Sequence, residues 1–258
     1  MNWNVEFLNF WHFFILALTL VMVFVLTFIF KNRSIKTKMV FMWILALTNS
    51  AIYFIRTFRE CDEAWFIIWE NLPLHLCGMT VFIFPLAMLI KKPLLKSFCY
   101  FVSTAGGLMA LLIPTATFLE LPVYHISAIS FYSQHMIITL FGVLLVTLGL
   151  VKPNFKMALG SIGVLGGLTV LCHLINVGVP ALGLGGAECA PNYMFTVRAD
   201  TNALLSLAYD ILPVKLAYLL LFIPLLLVIG LVLLAPIYIP KWVKGAKEKK
   251  QRARRKIV

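Results

Sequence analysis

Seven long apolar stretches, separated by short polar gaps, constrain the fold of this chain more than any other feature. The hydrocarbon core of a bilayer is ~30 Å thick, so a helix needs roughly 20 apolar residues to cross it. Stretches of about this length run over residues 7–30, 39–58, 71–90, 96–114, 131–151, 156–178 and 213–237. Because 62% of the residues are hydrophobic and 12% are charged, the chain has no room for a sizeable soluble domain. The sequence predicts an all-α polytopic membrane protein with seven transmembrane helices.

The lysines and arginines lie almost entirely in alternate gaps between these stretches. Of the 22 basic residues, 18 fall in the first, third and fifth gaps and in the C-terminal segment. Cytoplasmic loops near membrane ends carry the excess of basic residues. We therefore expect the N-terminus outside and the C-terminus in the cytoplasm of a multi-pass protein of the cell membrane.

A strongly basic segment follows the last apolar stretch. Residues 1–240 are expected to form the seven-helix domain, and residues 241–258 a basic cytoplasmic tail. The net charge of +12 thus comes mostly from the basic residues of the predicted cytoplasmic loops and of this tail. A polybasic segment beside a membrane is attracted to anionic lipid headgroups by ~1 kcal/mol per basic residue. We expect these headgroups, and no nucleic acid, to be its partner.

Polar residues collect at the outer ends of three predicted helices, although such groups are expensive inside a bilayer and usually mark function. They are Glu70, Asn71, His75 and Cys77 in the third helix, His135 in the fifth, His173 and Asn176 in the sixth, and Asn192 and Tyr193 in the loop that follows. At ~1.5 Å of rise per residue, Cys77, His135 and His173 lie about 6–10 Å below the outer interface. We predict that they share a pocket open to the outer leaflet or the outside.

A cysteine and a histidine in one pocket suggest covalent chemistry, because a thiol becomes a strong nucleophile when a base removes its proton. His75 and Cys77 are two residues apart and point to nearly opposite sides of a regular helix. His135, at matching depth, is therefore the expected base unless Pro73 distorts the local turn. Each residue alone also has a simpler interpretation, with Cys77 as a packing residue and His135 as an interfacial hydrogen-bonding residue.

We expect no organic cofactor and no metal. The five cysteines show no metal-type C-x-x-C spacing, and no haem, flavin or nucleotide motif is present. A His/Cys metal site is disfavoured because His75 and Cys77 diverge on a regular helix and no compact ligand spacing exists. Cys61 and Cys189 both fall in predicted outer loops, where a disulfide and two unpaired thiols remain open alternatives.

Several short motifs resemble one family of membrane proteins. LPLHLC at residues 72–77 resembles the signature of the YwaF family of bacterial integral membrane proteins, which is similar to the animal acyltransferases called transmembrane protein 164. The matches continue in order with a glycine-rich fourth helix ending in Pro114, residues 131–135, Asn176, and NYMF at residues 192–195. The loop before NYMF is longer than expected, and the GPWPWY-like run before the last helix is missing.

The resemblance implies a seven-helix membrane domain. Through the animal branch it also implies a cysteine–histidine acyl-transfer site acting on phospholipid. The cysteine of LPLHLC falls on Cys77 and the histidine that opens the fifth helix falls on His135.

Two classes of function fit these observations. The first is an integral membrane lipid acyltransferase or acyl hydrolase, in which Cys77 is the nucleophile and His135 the general base and then the general acid. The second is a non-catalytic protein, such as a small-solute transporter, a receptor or an assembly partner, with the same pocket as a binding site. The residues expected to bind the substrate, some by donating to a developing oxyanion, are Glu70, Asn71, His75, His173, Asn176, Asn192 and Tyr193.

Overall fold

The protein is a bundle of α-helices. The computed structural model describes residues 4–61, 69, 71–90, 92–114, 121–183, 190–199 and 203–255. Within these ranges there is no β-strand, only an isolated bridge between Asn4 and Pro122. The helices are α1 (Phe10–Phe30), α2 (Ile35–Glu60), α3 (Leu76–Leu89), α4 (Pro93–Leu112), α5 (Ile126–Thr147), α6 (Phe155–Ala181), α7 (Ala203–Ile211) and α8 (Ile223–Arg255). The all-α prediction is confirmed.

Six helical segments of the described chain are long and apolar enough to cross a membrane. They are Phe10–Phe30, Ile35–Arg59, Pro93–Leu112, Ile126–Thr147, Phe155–Ala181 and Ala217–Ile239. The last combines the short 3-10 helix Ala217–Phe222 with the start of α8. The six overlap six of the seven predicted stretches. The remaining one contains α3, whose 14 residues rise only about 21 Å at ~1.5 Å per residue.

The third predicted helix starts later than its apolar stretch suggested. Residues 71–75 are not helical, and α3 begins at Leu76 after His75, which is extended (φ −73°, ψ 152°). Pro73 supplies the physical reason, because a proline lacks an N–H and disfavours a helical conformation in the residue before it. Cys77 therefore lies in the first turn of α3 and not about two turns inside a helix.

The antiparallel pair α4 and α5 forms the centre of the bundle. A Cβ atom on Gly107 of α4 would come within 2.6 Å of Thr139 Oγ1, and one on Gly142 of α5 within 2.6 Å of Thr104 Oγ1. Small residues let membrane helices approach this closely. Helices α1 and α2 pack against α5, helices α6 and α8 pack against α4, and α3 packs mainly against α2 and α4.

The largest buried cluster lies among α2, α3, α4 and α5. Its centre is the stacked pair Phe84 of α3 and Phe141 of α5, whose ring centroids are 3.8 Å apart. Many large apolar side chains point outward instead, including Phe24 and Phe28 of α1. Such an apolar exterior is what a protein presents to a bilayer.

The last helix continues past the end of the predicted span. The backbone of α8 is helical to Arg255, so residues 241–255 of the predicted tail extend the last candidate span. The helix α7 before it was not predicted. It occupies part of the segment that the sequence interpretation assigned to a loop.

Candidate functional site

The non-helical segment 71–75 is held in place by side chains of neighbouring helices. The hydroxyl of Tyr53 on α2 donates to the carbonyl oxygen of Asn71 (2.8 Å). The thiol of Cys172 on α6 donates to the carbonyl oxygen of Leu74 (3.4 Å). Irregular backbone at membrane depth is tolerated only where protein partners satisfy it. The segment is therefore an ordered, non-helical connection that leads into α3.

The first turn of α3 fits tightly under this segment. A Cβ atom on Gly78 would lie 3.0 Å from Pro73 Cα, so glycine allows segment 71–75 to fold back over the helix. The first N–H groups of an α-helix have no partner within the helix and favour negative charge. The side chain of His75 makes no capping hydrogen bond to them. Cys77 therefore lies in a first turn whose leading backbone N–H groups have no partner within the helix.

The stacked phenylalanines set the register between α3 and α5, which run parallel. Cys77 comes two turns before Phe84, and Gln134 comes two turns before Phe141. Two turns correspond to about 10 Å along each helix. Cys77 also packs against the cluster that contains Phe141 and its α5 neighbour Ile138. By this register, Cys77 is level with the turn of α5 that carries Gln134 and His135.

The His135 ring is buried and its tautomer is fixed. Nδ1 lies 2.8 Å from the carbonyl oxygen of Phe131, and the two rings contact each other with centroids 4.3 Å apart. A carbonyl oxygen can only accept, so Nδ1 carries the proton and Nε2 keeps a lone pair. The Arg56 guanidinium on α2 is close enough to interact electrostatically with this ring. Among the described residues, no hydrogen bond joins Cys77 Sγ to His135.

Several buried polar atoms lack a hydrogen-bond partner in the described part of the chain. They include Asn49 Oδ1, Thr104 Oγ1, Tyr132 Oη and Gln134 Nε2. Native structures contain few such atoms, and each needs an explanation. Gln134 is the most informative, because it is only 5% exposed and lies beside His135. The sequence interpretation did not select it, although an amide next to a candidate base and two turns before an aromatic core residue is a usable signal.

A short chain of polar contacts ties α2 to the backbone of Cys77. Asn49 Nδ2 donates to Thr80 Oγ1 (3.0 Å), and the Thr80 hydroxyl donates to the carbonyl oxygen of Cys77 (2.5 Å). Ser50 of α2 donates to the carbonyl oxygen of Val81 (2.8 Å). These contacts fix the start of α3 without using the thiol.

A second group of polar residues, the Tyr193 cluster, comprises His75, His173, Asn176, Asn192, Tyr193 and Thr196. The Asn176 amide bonds both backbone groups of Tyr193, donating to its oxygen and accepting from its nitrogen (both 2.9 Å). It also donates to Thr196 Oγ1 (2.8 Å), which lies 3.1 Å from His173 Nδ1. Tyr193 is fully buried, and its hydroxyl donates to the carbonyl oxygen of Trp69.

The remaining members of the Tyr193 cluster hold the backbone of the loop that follows Tyr193. The side-chain oxygen of Asn192 accepts from the backbone of Val197 and Arg198 (3.1 and 3.3 Å). His75 Nδ1 accepts from the nitrogen of Met194 (3.4 Å). The structure thus brings together five residues predicted to bind substrate, namely His75, His173, Asn176, Asn192 and Tyr193, and supports Asn71 through its backbone.

Two predicted features fall on residues outside the described ranges. Glu70 is one of them, and the possible disulfide between Cys61 and Cys189 cannot be placed because Cys189 is the other. Within the described ranges, no group of three His, Cys, Asp or Glu side chains is arranged to hold a metal ion.

The apolar spans and the buried polar site among them define a polytopic α-helical membrane protein. A family model, described as the TMEM164 family, matches residues 7–255. The chain belongs to the TMEM164 family, and the predicted similarity to the transmembrane protein 164 proteins is confirmed. No curated protein and no solved structure matched the chain.

Proposed function

We propose that this protein is an integral membrane lipid acyltransferase or acyl hydrolase. The observation that carries the proposal is the register between α3 and α5 that the stacked phenylalanines set. A thiol in the first turn of α3 is level, by register, with a histidine that has one available nitrogen and with an amide that has no described partner. Nucleophile, base and oxyanion donor are the three parts that acyl transfer needs.

The first half-reaction would form an acyl-enzyme. His135 Nε2 takes the proton of the Cys77 thiol, and the sulfur attacks the ester carbonyl carbon of a phospholipid. A C–S bond forms and the ester C–O bond breaks. The leaving alkoxide, which becomes the lysophospholipid hydroxyl, takes the proton back from His135. The Phe131 carbonyl keeps the ring in the required tautomer throughout.

The second half-reaction would release the acyl group. The hydroxyl of an acceptor lysophospholipid gives its proton to His135 Nε2 and attacks the thioester carbonyl. The C–S bond breaks and the sulfur leaves as a thiolate, which takes the proton from His135. If water takes the acceptor's place, the product is a fatty acid and the enzyme is a hydrolase.

Gln134 is our candidate for the side-chain donor to the oxyanion. Its Nε2 lacks a described partner, and the backbone N–H groups at the start of α3 would supply the second donor. One such donor is worth roughly 10²–10³ in rate. In this proposal Asn176, Asn192 and Tyr193 shape the site, since their polar groups bond other protein groups. His75 and His173 face the substrate headgroup.

The proposal includes a topology. The segment 71–75 and α3 together cross the bilayer, which adds a seventh span to the six long helical segments. The protein lies in the cell membrane with its N-terminus outside and its C-terminus in the cytoplasm. The satisfied carbonyls of Asn71 and Leu74 support this, because they remove the cost of non-helical backbone in a bilayer. The basic segment 241–258 would then contact anionic headgroups of the inner leaflet.

The test is acyl transfer by purified protein in vesicles of diacylglycerophosphocholine that contain a deuterated lysophospholipid acceptor. Mass spectrometry follows deuterated diacyl product and free fatty acid. We expect product with the unmodified protein and with Cys172→Ser, and none with Cys77→Ser or His135→Ala. Equal product from all four would contradict the proposal and favour the non-catalytic binding function.

A further inference from the structure

An apolar cavity lies between α4, α6 and α8, on the side of α3 that carries Leu76. Its volume is about 200 Å³. Apolar cavities of ~150 Å³ already stay dry and bind small hydrocarbons. The one polar lining residue is Ser161. Its hydroxyl donates to the carbonyl oxygen of Met157 (2.7 Å) and therefore needs no hydrogen-bond partner from a ligand. The cavity suits a hydrocarbon.

The cavity is long and is lined at one end by the residue before Cys77. Along α6 its lining runs from Phe155 to Leu165, which at ~1.5 Å per residue is about 15 Å. Half of a ~30 Å hydrocarbon core, the depth of one acyl chain, is the same distance. At the end formed by α3 the lining residue is Leu76, which directly precedes Cys77.

Two glycines give the cavity its width. A Cβ atom on Gly106 of α4 would meet no heavy atom within 4 Å, and one on Gly230 of α8 would only touch Ala158 Cβ at 3.8 Å. Neither glycine is needed for helix contact, and both line the cavity. Phe155 and Leu231 are 49% and 54% exposed, so the cavity opens sideways toward lipid.

We propose that this cavity holds the acyl chain of the phospholipid that Cys77 attacks, and that Gly106 and Gly230 set the chain length it accepts. The proposal rests on the acyl-transfer function above. A chain that enters sideways from the bilayer places its ester end beside Leu76. Side chains larger than glycine at either position would shorten the space available to it.

The experiment uses the full chain in vesicles of diacylglycerophosphocholine that contain a small fraction of the same lipid with a diazirine in one acyl chain. Labelled residues are mapped by mass spectrometry in the unmodified protein, Gly106→Leu and Gly163→Leu. Gly163 is the matched control, because it also has open space at its Cβ but is exposed on α6 outside the cavity. All three proteins are also prepared with Cys77→Ser.

We expect labelling of the cavity residues to saturate with the diazirine lipid fraction. Gly106→Leu should lower this labelling by about tenfold, since added methylenes compete for packed space, and Gly163→Leu should leave it unchanged. Where transfer is active, Gly106→Leu should shift product toward shorter acyl chains. Labelling that rises linearly and ignores Gly106→Leu overturns the proposal, even if transfer occurs. Saturable labelling that persists with Cys77→Ser, without any transfer, upholds the cavity and refutes the enzyme.

Discussion

Two groups of buried polar side chains lie near the same end of the bundle, and they differ in how their hydrogen bonds are used. In the Tyr193 cluster, the Asn176 amide binds three partners and Asn192 binds a loop backbone. On α5, Gln134 Nε2 and Tyr132 Oη have no partner among the described residues. A satisfied network stabilises a fold, whereas an unsatisfied donor is a cost that function can explain.

The comparison extends to the backbone. Met194 and Phe195 of the Tyr193 cluster region adopt positive φ angles of 54° and 58°, a conformation that costs about 1–3 kcal/mol per residue outside glycine. The Asn192 carbonyl accepts from the Phe195 nitrogen, and the hydroxyl of Tyr218 donates to the Phe195 carbonyl. The hydrogen bonds of this region are therefore committed to holding the loop. The described hydrogen bonds near Cys77 involve neither its thiol nor Gln134 Nε2, so both groups are available to a substrate.

The largest expected effect is the loss of acyl transfer in Cys77→Ser, because a hydroxyl is far less acidic than a thiol and the base would no longer suffice. Transfer in the vesicle assay should fall to background. Cys172→Ser is the matched control, since its thiol is buried and donates to the Leu74 carbonyl. A Cys77→Ser protein that keeps its activity would place the chemistry elsewhere.

The next effect separates function from stability. Gln134→Leu should lower the transfer rate by about 10²–10³, the worth of one oxyanion donor. The same change should leave the midpoint of thermal unfolding unchanged or raise it, because it removes an unsatisfied buried amide. Tryptophan fluorescence in detergent measures the midpoint, and Ser133→Ala, whose hydroxyl is satisfied within the helix, is the control. A large fall in midpoint would make Gln134 a structural residue.

Asn176→Leu should show the opposite pattern. Removing an amide that satisfies both backbone groups of Tyr193 should lower the free energy of unfolding by about 1–3 kcal/mol. Any loss of transfer should follow the loss of folded protein. Thr169→Val is the control on the same helix, because the Thr169 hydroxyl donates to a carbonyl oxygen of its own helix. If Asn176→Leu unfolds normally but loses activity, the Tyr193 cluster belongs to the chemistry.

The smallest effect concerns the framework shared by both groups. Gly107→Ala should destabilise the protein by on the order of 1 kcal/mol or more, because the new Cβ would approach Thr139 Oγ1 to 2.6 Å. Gly163→Ala, with open space, should be neutral or gain up to ~1 kcal/mol from helix propensity. Equal midpoints for the two variants would contradict the close packing of α4 and α5.

The sequence predicted the spans well because a bilayer demands long apolar runs. Counting depth predicted one pocket for Cys77, His135 and His173, whereas the structure holds His173 in the Tyr193 cluster through Thr196. The prediction failed at the start of α3, because residues 71–75 open a long apolar stretch and this outweighed the single signal from Pro73. His75 is an unusual residue before a helix, so no capping pattern corrected the boundary.

Gln134 was missed for a different reason. Its importance depends on the register between α3 and α5, which the stacking of Phe84 on Phe141 sets. Two residues 57 positions apart in sequence give no local sign of that contact. Nor does any local pattern show that Gly106 and Gly230 face the same cavity, whereas a glycine stripe on one helix is visible from sequence alone.

The most direct test of the central claim is the mass of the Cys77 peptide after the protein meets its lipid. Purified protein in diacylglycerophosphocholine vesicles is quenched in acid without an acceptor, digested and analysed by mass spectrometry. The account predicts an acyl adduct on Cys77 that hydroxylamine removes and that is missing in His135→Ala. An unmodified Cys77 under these conditions, in protein whose thermal unfolding is normal, would contradict it.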